Sequence, residues 1–274
     1  MKKLFLIILT ALVLTGCASN GTNQPETNNN KSDSNVDAEV IVLITDSIKN
    51  GEYETAYKQV GKLNNEEEKK KWSSKFTVIE NVLISENATS TVDAIGNPGE
   101  TSTIYYKYNK NGQIIAAIAE GDVIDTNQRT IMVEHLQLIN YLLGYEEYAY
   151  NEQGQLVTLT GYKDIQKERK RYVAQITYNE LGQKTKVEYT TEDGLKAETS
   201  FQYNDEGKLV SVKYNSDSIV ASISEREIKY DSSGLKQVDG AQIDYDESGR
   251  ITQITYDNGT VFIRNYGDFY VYEE

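Results

Sequence analysis

Nucleophilic and metal-binding side chains are scarce in this sequence, with one cysteine, Cys17, and one histidine, His135, among 274 residues. A lone cysteine excludes an intramolecular disulfide framework and agrees with a thiol that is used covalently. His135 stands in the alternating segment IMVEHLQL, where a strand-borne polar side chain is the expected role, and no second histidine completes a metal pair. Acids are so numerous, 42 in all, that groups such as Asp244, Asp246 and Glu247 arise by number alone. Their spacing matches neither an EF-hand loop nor a nonapeptide calcium repeat, and turn capping is the expected use. There is no Gly-x-Ser-x-Gly elbow and no glycine-rich phosphate loop. The expectation is therefore no enzyme, no cofactor, no metal and no catalytic residue. What remains is aromatic: 21 tyrosines against one tryptophan and five phenylalanines, rings with a polar tip suited to sugar faces, protein interfaces or sheet packing.

The cysteine belongs to an N-terminal segment that is not fold. Lys2 and Lys3 precede an apolar run from Leu4 to Leu14, too short for a permanent membrane helix but matched to the h-region of a secretory signal. The run ends in Leu14-Thr15-Gly16-Cys17, which resembles the lipobox of bacterial lipoproteins. The resemblance implies cleavage between Gly16 and Cys17 and a diacylglyceryl group on the Cys17 sulfur. Each buried lipid CH₂ contributes about 0.8 kcal/mol, so two or three chains hold a protein at the extracytoplasmic side of a bacterial cell membrane. Residues 1–16 are thus read as a signal peptide and 17–37 as lipidated cysteine and flexible tether. The tether is polar, rich in Asn and Ser, and without apolar period; about twenty such residues span roughly 25 Å. Loss of residues 1–16 removes two lysines and no acid, making the formal charge of −14 more negative still. Such a balance disfavours nucleic acid as a partner.

Residues 38–75 carry helical spacing. Val40, Leu43, Ile44 and Ile48 fall on one face, Asn50-Gly51 breaks the run, and Tyr53, Ala56, Tyr57 and Val60 form a second face. This predicts a helical hairpin, similar to half of a tetratricopeptide-like unit. The run NNEEEKKKW that follows suits an exposed helix, with Glu placed three and four residues before Lys.

From Phe76 the period becomes two, and residues 76–274 read as strands rich in β-branched and aromatic residues. Six copies of Tyr-[Asn/Asp]-x-x-Gly lie at the joints. They are Tyr108-Asn109 with Gly112, Tyr150-Asn151 with Gly154, Tyr178-Asn179 with Gly182, Tyr203-Asn204 with Gly207, Tyr230-Asp231 with Gly234, and Tyr245-Asp246 with Gly249. A tight hairpin explains each position: Asn or Asp accepts a backbone N–H two residues on, two polar residues turn the corner, and Gly takes the positive φ. The spacing of the middle copies accommodates two strands and two turns per repeat. The predicted fold is mainly β, an antiparallel meander of such hairpins that is curled or partly closed to shelter its edges.

The motif, continued by Gln, Lys or Arg and then Ile or Leu, resembles the YD repeat of the RHS (rearrangement hotspot) proteins over roughly residues 104–266. The resemblance implies a β-hairpin domain of the bacterial surface, and some family members bind carbohydrate. Six repeats are too few for the cargo-enclosing shells of the large members. The expected function is a surface lipoprotein that binds or scaffolds in the cell envelope, with a cell-wall glycan or an envelope protein as ligand. Tyr178, Tyr203 and Tyr245 are its candidate ligand face. Alternatives are an envelope hydrolase or transferase whose carboxylate pair has no sequence signature, and an accessory or immunity lipoprotein for a secreted toxin.

Overall fold

The computed structural model describes residues 30–89, 101–121, 144–216, 224–227, 229–230, 236–237, 241–256, 259 and 261–274. The lipidation site at Gly16-Cys17 and His135 lie outside these residues.

The helical piece comprises α1 (Asn30–Lys49), α2 (Tyr53–Val60) and α3 (Glu66–Ser73). Helix α1 begins well before residue 38, inside the stretch read as tether. At Asp37 the helix is tied to the turn between α2 and α3: the carboxylate is buried and accepts the backbone N–H groups of Asn64 and Asn65, both at 2.8 Å. Gly51 ends the first turn at φ +76, and α3 is the exposed helix expected, capped by the Asn65 side chain on the N–H groups of Glu67 and Glu68. The apolar faces meet, with Val40 and Ile44 packed on Ala56, Val60 and Leu63 and with Ile48, Tyr53 and Tyr57 at the margin, but Leu43, read on the same face, is 51% exposed because the helical period turns it to the outside.

The rest is one antiparallel sheet. Its strands are β1 (Phe76–Thr89), β2 (Thr101–Tyr108), β3 (Ile114–Gly121), β4 (Tyr145–Tyr150), β5 (Leu156–Tyr162), β6 (Lys170–Tyr178), β7 (Lys184–Thr191), β8 (Lys196–Tyr203), β9 (Leu209–Ser216), β10 (Ser224–Glu227), β13 (Ala241–Tyr245), β14 (Ile251–Tyr256) and β15 (Val261–Tyr272). Two short strands, β11 (Lys229–Tyr230) and β12 (Lys236–Gln237), pair separately. The thirteen strands run in the order β10-β9-β8-β7-β6-β5-β4-β3-β2-β1-β15-β14-β13, so the fold is a meander and the sheet is not closed. Its one departure from chain order is the pairing of β15 with β1, Phe76 facing Tyr272 and Thr89 facing Val261.

The faces follow from alternation. Ile104 and Tyr106 of β2, Ala117 of β3, Tyr148 of β4, Leu159 of β5, Tyr172, Ala174 and Ile176 of β6, Val187 and Tyr189 of β7 and Phe201 of β8 form one buried cluster. Gly161 belongs to it because Tyr172, directly opposite, lays its ring where a side chain would be; a Cβ at Gly161 would sit 2.2 Å from Tyr172 Cε1. Strands β1 and β15 run on past the turn of the β2–β3 hairpin. On that projection Phe76 and Tyr272 stack at 5.3 Å, and α2 docks there through Tyr57, 5.6 Å from Phe76 and 5.3 Å from Tyr270. The helical hairpin is therefore a cap on the junction of β1 with β15.

Candidate functional site

Five of the six motif turns lie within the described residues, and they share one geometry. Gly112, Gly154, Gly182, Gly207 and Gly249 take φ values between +74 and +80, which only glycine adopts without strain. In each, the glycine N–H donates to the carbonyl of the motif Asn or Asp, as in Gly182 to Asn179 at 3.0 Å. The same side chain accepts two N–H groups from further round the turn: Asn179 Oδ1 takes Leu181 at 3.1 Å and Gln183 at 2.9 Å, and Asp246 Oδ1 takes Ser248 and Arg250, both at 2.9 Å. Each hairpin then carries a one-residue bulge at the same place, as Thr177 faces Lys186 but Tyr178 faces Lys184. Asp231 and Gly234 lie outside the described residues, and of Tyr230 only the strand is described.

The motif tyrosines are rungs between hairpins. Tyr150 donates its hydroxyl to the carbonyl of Ile114, Tyr178 to Leu156 and Tyr203 to Lys184, at 2.8, 2.9 and 2.8 Å. Each acceptor is the residue that faces the previous hairpin's own motif tyrosine, since Tyr108 faces Ile114, Tyr150 faces Leu156 and Tyr178 faces Lys184. Burial pushes the Tyr150 hydroxyl up to about 12, with Tyr178 nearby adding to it. Tyr108 and Tyr178 are raised for the same leading reason.

Two further side chains extend the ladder, in a role that the sequence reading did not give them. The first is the Gln that follows Gly. Gln113 Nε2 reaches the carbonyl of Gly154 at 3.2 Å and Gln183 Nε2 that of Gly207 at 3.3 Å, while their Oε1 atoms accept from Asn109 and Asn179 at 2.8 Å. Recurrence of Gln at this position was the available signal. The second is Tyr266, whose hydroxyl donates to Ile251 at 2.9 Å. It faces Leu83, and the Leu83 carbonyl in turn accepts from Tyr108 at 2.7 Å. Tyr266-Gly267-Asp268 thus behaves as the start of a seventh motif whose turn is replaced by the continuing pair β1–β15.

Of the three tyrosines named as a candidate ligand face, two follow the alternative of sheet packing that the tyrosine content also suited. Tyr178 and Tyr203 are partly buried against the core with their hydroxyls bonded to backbone, and Tyr245 ends β13 at the opposite edge of the sheet. The acid group near it is likewise used locally. Asp246 is held well below the ordinary carboxylate range, first by the Ser248 hydroxyl and then by the Arg250 backbone and guanidinium. Arg250 also reaches Asn81 Oδ1 and lies 4.5 Å over the Tyr266 ring.

Among the described residues, two carboxylates are buried on the inner face. Glu86 pairs with Arg264, directly opposite, at 3.1 Å, with 2% and 10% of their side-chain surfaces exposed. Glu146 accepts the hydroxyls of Tyr148, at 2.6 Å, and Tyr172. Strands β1 and β4 are three spacings apart, about 14 Å along the sheet, whereas carboxylates that cleave a glycosidic bond together stand roughly 5–9.5 Å apart. Both acids already have partners, and no cluster of three or more metal-ligating side chains occurs among the described residues.

No protein-family model matches the sequence, and no curated protein matches it. Among solved structures, a porin-like protein from Bacteroides uniformis ATCC 8492 is similar at 10% identity, with 70% of this chain and 98% of that chain covered and a TM-score of 0.36. The Photorhabdus luminescens Tc holotoxin pore is similar at 12% identity over 61% of this chain, with a TM-score of 0.23. A TcdB2–TccC3 structure is similar at 11% identity over 61%, with a TM-score of 0.20. This chain spans 12% of the length of each of the latter two.

Proposed function

We propose that the chain is a lipid-anchored, non-catalytic binding or scaffold module of the bacterial cell envelope, held to the membrane through Cys17 and offering its sheet to a cell-wall glycan or an envelope protein. One observation carries the reading: the motif tyrosines and the Asn or Asp side chains beside them are bonded into the sheet's own framework. What the repeats build is a broad braced surface of thirteen strands, and a surface of that kind serves recognition better than bond cleavage. The anchor rests on Leu14-Thr15-Gly16-Cys17, and the likeness of the turns to the YD repeat supports a place at the bacterial surface.

The test joins both parts. Cells expressing the full chain or its Cys17→Ser variant are fed an alkyne fatty acid, fractionated, and the chain is recovered with whatever it holds. Label and membrane retention in the wild type, lost in the variant, together with recovery of wall glycan or a discrete envelope protein, is the expected result. An unlabelled wild type found free of the membrane overturns the anchor, and recovery of neither ligand overturns the binding role.

A further inference from the structure

The tyrosine rungs obey one rule, and that rule leads past the end of the thirteen-stranded sheet. Five rungs are described: Tyr203 to Lys184, Tyr178 to Leu156, Tyr150 to Ile114, Tyr108 to Leu83 and Tyr266 to Ile251. Each joins two neighbouring strands that are paired with one another. Each acceptor, in turn, faces the tyrosine that starts the next rung: Lys184 faces Tyr178, Leu156 faces Tyr150, Ile114 faces Tyr108 and Leu83 faces Tyr266. The last acceptor, Ile251, faces Tyr245, so the series continues from Tyr245 at the end of β13, where the sheet stops.

The strand that precedes β13 in the chain is β12, and it meets the rule. It pairs with β11 so that Lys236 faces Tyr230, the tyrosine of the fifth motif copy. Lys236 therefore stands where Ile251 and the other acceptors stand, opposite a motif tyrosine one hairpin back. The connection to β13 has the right length as well. Between β7 and β8, Thr190 faces Lys196 across a turn with Gly194 at φ +83, and between β14 and β15, Thr255 faces Val261 across one with Gly259 at φ +82. Lys236, Gly240 and Gln242 repeat that spacing, and Asp239 precedes Gly240 as Asp193 and Asn258 precede the other two glycines. The rest of the circuit is in place, since β10 pairs with β9, β11 comes next after β10 in the chain, and β11 pairs with β12.

We infer that the Tyr245 hydroxyl donates to the Lys236 carbonyl and that β12 pairs with β13, Lys236 opposite Gln242, so that the strands form an unbroken ring. A ring has no free strand edge, which leaves a partner no place to add a strand and a second copy no place to pair. It bears on the binding role proposed above without depending on it, because it directs any ligand to the faces, the turns or the helical cap. Hydrogen exchange of the full chain in detergent is the test, read at the β13 amides that point away from β14. In wild type these exchange within about tenfold of their counterparts between β7 and β8, at low and at high protein concentration alike. Tyr245→Phe, which keeps the aromatic ring and removes the rung, speeds their exchange by about fivefold to tenfold, while Tyr178→Phe leaves them as in wild type. Exchange there as fast as in an unpaired strand overturns the ring. Protection that appears only at high concentration overturns it too, in favour of an edge shared between two copies. Protection that Tyr245→Phe does not change overturns the rung.

Discussion

The hairpins from β4 to β9 and the junction of β1 with β15 do the same job by different means. In the hairpins, the strand pair is closed by a turn of Asn and Gly, and one tyrosine ties it to its neighbour. At the junction no turn exists, because the two strands come from opposite ends of the described chain. Yet Tyr266 faces Leu83, its hydroxyl reaches the hairpin before it, and the register slips by one residue between Leu83 and Ser85, where a hairpin would have its bulge. The turn's place is taken by Asn81, at φ +57, between Asp268, which accepts its N–H at 3.1 Å, and Arg250. The rule of this fold is therefore the tyrosine-to-carbonyl rung and its register. The turn is one way of satisfying it.

The largest effect is expected at the buried pair of Glu86 and Arg264, which has no counterpart in the hairpins among the described residues. Arg264→Ala leaves a carboxylate 1% exposed without its partner and should cost about 3–5 kcal/mol, read from the urea midpoint. A loss under about 1 kcal/mol would mean that the pair does not anchor the ends. Next come the turn positions. Gly182→Ala forces a side chain into a left-handed backbone and should cost about 1–2 kcal/mol, whereas Asn81→Gly at the junction should stabilise by up to about 1 kcal/mol. Opposite signs in thermal unfolding would confirm that a strained residue substitutes for the missing turn. The equivalence of the rungs is tested by Tyr178→Phe and Tyr266→Phe, each removing one hydroxyl-to-carbonyl bond and each expected to cost about 1 kcal/mol. A junction rung worth much less than a hairpin rung would break the comparison.

The effect of pH is confined to the two ends of the scale. The Tyr150 hydroxyl titrates near 12 in the folded chain against about 10 unfolded, so its contribution is complete below pH 10 and is lost as pH rises through 10 to 12. Denaturant midpoints of wild type should fall across that window, and Tyr150→Phe should flatten the fall. Asp246 works in the other direction, its depressed value adding stability above the ordinary carboxylate range that is lost on acidification.

Much of this was legible because the signals are local. Strands such as FTVIENVLISENAT are where the alternation put them, and glycine at +75 in the Gly182 turn follows from Asn, two polar residues and Gly in succession. The ladder was half legible, since the tyrosine recurs in the sequence but its acceptor sits one hairpin away. The start of α1 at Asn30, inside the stretch read as tether, was not legible, and the contact of the Asp37 carboxylate with the N–H groups of Asn64 and Asn65 lies too far along the chain for local composition to show it.

The amino-acid sequence by itself determined the hairpins, their turns and the helical hairpin that precedes them, because backbone conformation at Gly and Asn and the two apolar periods are properties of a few neighbouring residues. Only the tertiary structure decided that β15 closes on β1 and that the motif tyrosines face the core. Each of these depends on which strand edge is left unpaired after the local hairpins have formed. That is a matter of register between residues far apart in the chain, Phe76 with Tyr272 and Glu86 with Arg264 among them.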